Sequence, residues 1–501
     1  MKSNSIKVGA IISYISILLN IVISLLYTPW MIHEIGISDY GIYSLIVSFL
    51  SYFLLDFGLG EAISRFISKF RADNDRDGIN RMFSVTTLVY TLMSFGIALI
   101  LVILYFFLSD IFVKLSLAEI ITLRKVYLIA GFFSVCTFGL KPFDGALVAY
   151  EHFVPLKVLD MCQRMGTVFL ITLALLLGGD IYWLVFINGI VGLIVSLTKG
   201  IFLFKKEHLQ IRLKWFEKSL AHKLFNFSFW VFLINIAQRL RLNIVPSILG
   251  IFCGTTEIAI FSVAMNLEGF IYTFSNALNG LFMPKVSRMV RENDSREELT
   301  NLMIKVGRVQ LFIVGFIIVG LFGLGHSFIR LWIGNSFYNT YWVMVLLVAV
   351  YLVFMTQQIG STLSYVVNEV RYNSIFAFST SICSLLLSIC LAPKWGAIGC
   401  GIAVFVALSL NTIMLNVFYA KKLNLDVIRF FKECHLRIGP FLLVFTMVLY
   451  FVDSTSVIKN WVSLFMAGFV YSICFCLVSY FMVMNIEERN MVYNFIAKIK
   501  K

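Results

Sequence analysis

Arg239 and Arg241 lie in "LINIAQRLRLNIVP", residues 233–246, within a run of mostly apolar residues long enough to cross a bilayer. A guanidinium is a fork of donors suited to phosphate and carboxylate oxygens. Held in hydrocarbon without a cavity or partner, it costs about 2.5–3.5 kcal/mol on insertion scales. Roughly ten residues from the outside end of the span, at 1.5 Å per residue, put the pair about 12–15 Å deep. Snorkelling does not easily bring both to water. At about 100° per residue the two arginines stand roughly 200° apart on a regular helix, so they take different roles. Asn235, Gln238 and Arg239 share an arc of about 100° that suits a wet cavity. Arg241 turns elsewhere, and Glu268, at matching depth in the next span, is its expected partner. Pro246 leaves room for local unwinding.

Other charges recur in apolar surroundings. In "LLDFGLGEAISR", residues 54–65, Asp56 has no local cation, which makes it, with Glu268, a candidate for ion coupling. Glu61 and Arg65 stand at the acid-before-base i, i+4 spacing of a helix pair. Asp160 and Arg164 repeat that spacing and read as a self-neutralising pair. Lys199 is near enough to a span end to snorkel. Gly58 and Gly60 permit close helix approach. The six histidines and nine cysteines are scattered, with no HExxH and no CxxC, so no metal site is expected, nor a cofactor. Without GxxxxGK[ST] there is no P-loop for nucleotide hydrolysis.

These residues must be positioned by membrane helices. The 501 residues are 60% hydrophobic and 14% charged, with mean hydropathy +0.90. A soluble domain carries about 25% charge. Spanning stretches recur along the whole chain, about twelve to fourteen of them. The fourth carries Lys141 and Asp144 near one end, and the thirteenth is short. The first is too long for a signal-peptide core and has no small-residue cleavage site after it. The net charge of +14 gathers at one set of span ends, the positive-inside pattern, which places both termini in the cytoplasm. Orientation and anionic headgroups account for that charge, and no nucleic-acid partner is expected.

The chain repeats itself. "GISDYGIYS" (Gly36–Ser44) matches "GTTEIAIFS" (Gly254–Ser262), and "SRFISKFRADND" from Ser64 matches "SRMVREND" from Ser287. Two ordered matches separated by one helix imply a duplication with both copies pointing the same way. The expected fold class is an all-α polytopic membrane protein of two six-helix bundles plus two C-terminal helices. Residues 1–204 and 224–420 would be the copies, 205–223 a cytoplasmic linker, and 421–501 the added helices and tail.

The turn "GISDYGIYSLI", the segment "LLDFGLGEAISR" and "FIRLWIGNSF" (residues 328–337), in this order and spacing, resemble the Wzx-type polysaccharide flippases of the multidrug/oligosaccharidyl-lipid/polysaccharide exporter superfamily. The likeness covers residues 8–420. It implies two bundles facing each other in a V and transport of an undecaprenyl-diphosphate-linked oligosaccharide to the outer leaflet of a bacterial plasma membrane, for surface glycans such as O-antigen. It implies no enzymatic activity. A proton or sodium gradient would drive the cycle, and a polysaccharide polymerase and a chain-length regulator would be partners besides the lipid bilayer. Carried over by position, Arg239, Arg241 and Arg65 would meet the diphosphate and anionic sugars. The first span departs from the pattern, offering Asn20 and no cation. A drug or cation antiporter of the same superfamily would need carboxylates facing its substrate, and a glycan polymerase or ligase would need a long outside loop; every outside loop here is short.

Overall fold

Glycine at position 36 takes φ 86° and turns helix α1 (Lys2–Ile35) sharply into α2 (Ile37–Phe53). The two axes meet at 118°. A side chain is strained at that φ, so glycine fits the turn. Gly254, its counterpart in the matching segment, also has positive φ, 113°. The two matching turns are tied together by one carboxylate. Glu119 Oε1 accepts from Ser38 Oγ at 2.7 Å and from Thr255 Oγ1 at 2.6 Å.

The computed structural model describes residues 2–54, 59–211, 232–233, 235–276, 282–292, 296–455, 457–490 and 493. Asp56 and most of the 205–223 linker lie outside the described residues, as does the side chain of Glu61. Among the described residues every regular element is helical. Lipid offers no partners to backbone N–H and C=O groups, and a helix satisfies them internally. Nine described helices are long and apolar enough to cross a membrane, and the bent α1–α2 pair makes a tenth. The sequence suggested more spans, and part of the difference is one merged helix. Val370–Lys421 has 52 residues, about 78 Å if straight, against roughly 30 Å of hydrocarbon. It bends at Gly396, φ 54°, which leaves length for two crossings. The large apolar side chains exposed along these helices, such as Leu99 and Phe106, suit a lipid surround.

The chain forms two compact units, residues 1–262 with 377–400, and residues 263–376 with 401–501. In the first, α2 is followed by α3 (Leu59–Ala72), α4 (Arg76–Ile111), α5 (Leu117–Gly139), α6 (Pro142–Ala149), α7 (Phe153–Leu176) and α8 (Ile181–Glu207). Asp75 and Asp180 cap α4 and α8, and Ser116 with Glu119 forms a capping box on α5. Such caps satisfy amides that a helix start leaves open. The fourth span of the sequence is two helices here, α5 and α6, joined at Leu140–Lys141. Gly200 sets how closely α6 approaches α8, because a Cβ there would lie 2.6 Å from the Phe143 ring.

The second unit is built on the helix Arg296–Ile333. Ile438, Leu442 and Leu449 of Leu436–Ser454, and Tyr471 and Phe475 of Trp461–Val478, join its core. Tyr471 stacks on Phe316 at 5.0 Å and donates its hydroxyl hydrogen to the Phe316 carbonyl at 2.7 Å.

Candidate anion-binding site

A cavity of about 420 Å³ opens within the first unit between α2, α5, α7 and α8, with Arg239 in its wall. Its polar lining includes Ser51, Lys141, Gln163, Asn188 and Arg239, and no carboxylate is among the described residues that line it. Two cations and several neutral donors, with no acid among the described lining residues, suit an anion. The surrounding bonds hold the lining in place. Lys141 Nζ donates to the Leu54 carbonyl at 3.1 Å and lies 5.0 Å from the Phe138 ring centroid. Asn188 donates to the Tyr43 hydroxyl at 3.5 Å, and Asn243 Nδ2 to Ser51 Oγ at 3.2 Å.

Arg239 opens a π-helical turn, Arg239–Asn243, that leads into the helix Ile244–Phe252. The Ile244 amide donates back to the Arg239 carbonyl, five residues earlier. Pro246 follows two residues on and has no N–H to return to Leu242, so the wider turn absorbs a missing rung. The regular helix used to place the arginines about 200° apart therefore does not hold across this stretch.

One helical turn from the cavity lies an ion triad. Lys199 Nζ is 2.8 Å from Asp144 Oδ1 and 2.8 Å from Asp160 Oδ1. This corrects two readings of the sequence. Lys199 does not snorkel, since its side chain is only 7% exposed. Asp160 pairs with Lys199 across the helices, while Arg164 donates to Ser24 Oγ of α1 at 2.7 Å. The close α6–α8 approach at Gly200, next to Lys199, brings in Asp144, next to Phe143. An i, i+4 spacing permits a pair on one helix, but two nearer partners on neighbouring helices displaced it.

The remaining sequence candidates are dispersed. Asn235 is half-buried and Gln238 exposed, and neither is among the described residues lining this cavity. The Arg241 Nε is buried without a hydrogen-bond acceptor among the described residues. Arg65 is exposed on α3. Glu268, in the second unit, is buried and accepts a hydrogen bond from the Tyr351 hydroxyl. Lys141, Gln163 and Asn188 were not singled out as site residues from the sequence. Their signal was a polar side chain inside an apolar stretch, shared with many residues that only bond their own helix, such as Thr198 to the Ile194 carbonyl.

A helical membrane chain with a cationic cavity inside one unit falls in the class of multi-pass transporter folds, and the comparisons agree on the fold. The chain belongs to the polysaccharide biosynthesis protein family, whose model matches residues 6–290. Its structure is similar to the lipid II flippase MurJ in an inward closed conformation, with TM-score 0.72 and 17% identity over 94% of this chain and 98% of that one. An inward-facing multidrug resistance MATE family transporter of the MOP superfamily matches with TM-score 0.66 and 13% identity, over 79% of this chain and 92% of that one. A eukaryotic MATE transporter gives 0.61 and 15%, over 87% and 98%. No curated protein matches the chain.

Proposed function

We propose that this protein is a Wzx-type flippase that carries an undecaprenyl-diphosphate-linked oligosaccharide from the cytoplasmic to the outer leaflet of a bacterial plasma membrane, for surface polysaccharide synthesis. The observation that carries the reading is the cavity with Arg239 and Lys141 in its lining and no carboxylate among the described residues that line it. A diphosphate matches that charge, whereas a cationic drug would meet two like charges. Membership in the polysaccharide biosynthesis family and the likeness to a lipid II flippase support the same substrate class. Arg239 is the proposed diphosphate contact. Asn235, Gln238, Arg241 and Arg65 are proposed to extend the path to the sugars.

Residues 1–204 and 224–420 are proposed as the duplicated halves, and the shared positive φ of Gly36 and Gly254 supports that duplication. With both termini cytoplasmic, transport would proceed by alternating access driven by a proton or sodium gradient, with Asp56 or Glu268 as coupling carboxylates. A polysaccharide polymerase and a chain-length regulator would receive the product.

Deletion of the gene in its native host, with no second transporter present, is expected to strand lipid-linked repeat units on the cytoplasmic face and to remove surface glycan. Wild-type protein restores the glycan and Arg239→Ala does not. Arg239→Lys restores it only partly, because a point charge replaces a bidentate fork. Unchanged surface glycan in the deletion strain overturns the reading.

A further inference from the structure

We infer that the cavity is divided along its length and that the sugar next to the diphosphate is an uncharged one. Arg239 and Lys141 hold the diphosphate at one end, and the carboxamides of Gln163 and Asn188 read that sugar along the rest. The inference deepens the flippase reading and rests on it for the lipid diphosphate.

Contacts among the lining segments order the cavity. Tyr43 and Leu54 both line it from α2 and its C-cap, about 16 Å apart at 1.5 Å per residue. The Leu54 carbonyl accepts from Lys141 Nζ at 3.1 Å, and the Tyr43 hydroxyl accepts from Asn188 Nδ2 at 3.5 Å. Lys141 therefore belongs to one end and Asn188 to the other. Arg239 sits with Lys141. Asn243, which closes the π-helical turn that Arg239 opens, donates to Ser51 Oγ at 3.2 Å. The chain then runs on to Thr255, whose Oγ1 is 3.2 Å from Ser38 Oγ at the start of α2. Arg239 precedes Asn243, so it lies past Ser51 on the Leu54 side. Gln163 comes between the two ends. A Cβ on Gly192 would lie 3.3 Å from Gln163 Nε2, and Gly192 is about one helical turn past Asn188 on α8. From there α8 continues to Lys199, which meets Asp144 just after Lys141.

The cations thus gather at one end and the carboxamides occupy the rest. A carboxamide has two donor hydrogens and an acceptor oxygen. That of Gln163 has no hydrogen-bond partner among the described residues, and that of Asn188 has only the long bond to Tyr43. Arg164, next along α7, is turned to Ser24 Oγ at 2.7 Å and is not among the described lining residues. A sugar carboxylate at the carboxamide end would be desolvated without a counter-charge, which costs far more than desolvating a hydroxyl. Hydroxyl and acylamino groups instead meet donors and acceptors spaced about 6 Å apart along α8, a separation that one sugar ring bridges. The missing side chain of Gly192 leaves the room in which the Gln163 amide sits, so the preference turns on Gln163.

The test measures affinities of the full-length protein in detergent for undecaprenyl diphosphate, for the same lipid bearing one neutral sugar, glucose or N-acetylglucosamine, and for the same lipid bearing glucuronic acid. Wild type is expected to bind a neutral-sugar probe about tenfold more tightly than the bare diphosphate, the worth of one or two hydrogen bonds. The glucuronic acid probe should bind more weakly than the neutral one. The readout is the ratio of neutral-sugar to bare-diphosphate affinity. Gln163→Leu should lose most of that ratio, whereas Arg239→Ala should lower both affinities together and keep it, because the diphosphate is common to both probes. If Gln163→Leu does not fold, Gly192→Ala displaces the same amide and should lower the same ratio. Equal wild-type affinity for bare and neutral-sugar probes, tighter binding of the acidic sugar, or a neutral-sugar preference unchanged in these α7 and α8 variants overturns the divided cavity and leaves the diphosphate reading standing. Absence of binding by every probe overturns the diphosphate reading and the divided cavity together.

Discussion

Each unit buries an ion cluster, and the two are built on opposite terms. In the second unit Arg308 and Glu488 meet one to one, with Nε to Oε1 at 2.6 Å and an Nη2 to Oε2 contact at 2.9 Å, and their side chains are 4% and 6% exposed. The spare donors of the guanidinium reach the Glu433 carbonyl at 2.7 Å and the Val483 carbonyl at 3.2 Å. Asn485 and Glu488 also exchange side-chain to amide bonds, each at 2.9 Å. Charge is balanced there and these donors are engaged, so the pair fastens the segment after the last span onto the helix Arg296–Ile333. The triad of the first unit is unbalanced and half open. Burial of charge alone therefore does not mark a working site. Two acids sharing one ammonium beside a cavity distinguish the triad from the lock.

The comparison breaks most readily at the lock. Arg308→Ala leaves Glu488 buried and unpaired and is expected to cost about 3–5 kcal/mol, seen as loss of folded yield and a lower melting temperature in detergent. Adding Glu488→Ala should recover part of that loss. If the double variant melts no higher than the single one, the pair is not the source of the effect.

Next in size is Gly200→Ala, whose Cβ would press on Phe143 at 2.6 Å. Overpacking of this kind costs about 1–3 kcal/mol. It should also part α6 from α8 and weaken the Asp144–Lys199 contact, so that adding Lys199→Met to this variant costs less than Lys199→Met alone, read by thermal melting.

Lys199→Met removes the shared ammonium, but both acids are half exposed and less desolvated than the Glu488 carboxylate. A cost of about 1–2 kcal/mol is expected, well short of that for Arg308→Ala. Equal losses at the two sites, measured by thermal melting, would erase the distinction between lock and triad.

The smallest effect belongs to the exposed pair Lys305–Glu487, at 2.6 Å. The hydrogen bond and charge of Lys305 hold the Glu487 carboxyl below the usual carboxylate range. A depressed folded-state value means that any stabilisation is present above the unfolded pKa and fades as pH falls through the folded one. Lys305→Ala should leave melting unchanged at neutral pH and at acid pH alike, and a clear drop confined to neutral pH would promote this pair to part of the lock.

Much of the fold was legible because lipid leaves few solutions to the backbone. Apolar stretches of spanning length had to be helices, and the positive-φ turns followed from Gly36 and Gly254 in matching segments. Arg239 stood out in the sequence because a guanidinium in a span demands an explanation, and the structure places it in a cavity wall. Lys199 was misread because its distance from a span end says how far it can reach, not what waits beside it. Asp160 was assigned to Arg164 because i, i+4 is the one pairing that a single helix displays.

By itself, then, the sequence determined that this chain crosses membranes as helices, where it turns, and which few polar residues must be accommodated at depth, because each of these follows from transfer energies and local backbone geometry. Tertiary structure decided the partners. Asp144, Asp160 and Lys199 come from three helix segments, of which α6 comes close to α8 where Gly200 leaves room for Phe143, and the cavity above them gathers Ser51, Lys141, Gln163, Asn188 and Arg239 from segments far apart in the chain. Pair energies fall off over a few ångströms, and a distance of that size between distant residues is set by packing, which no local pattern along the chain records.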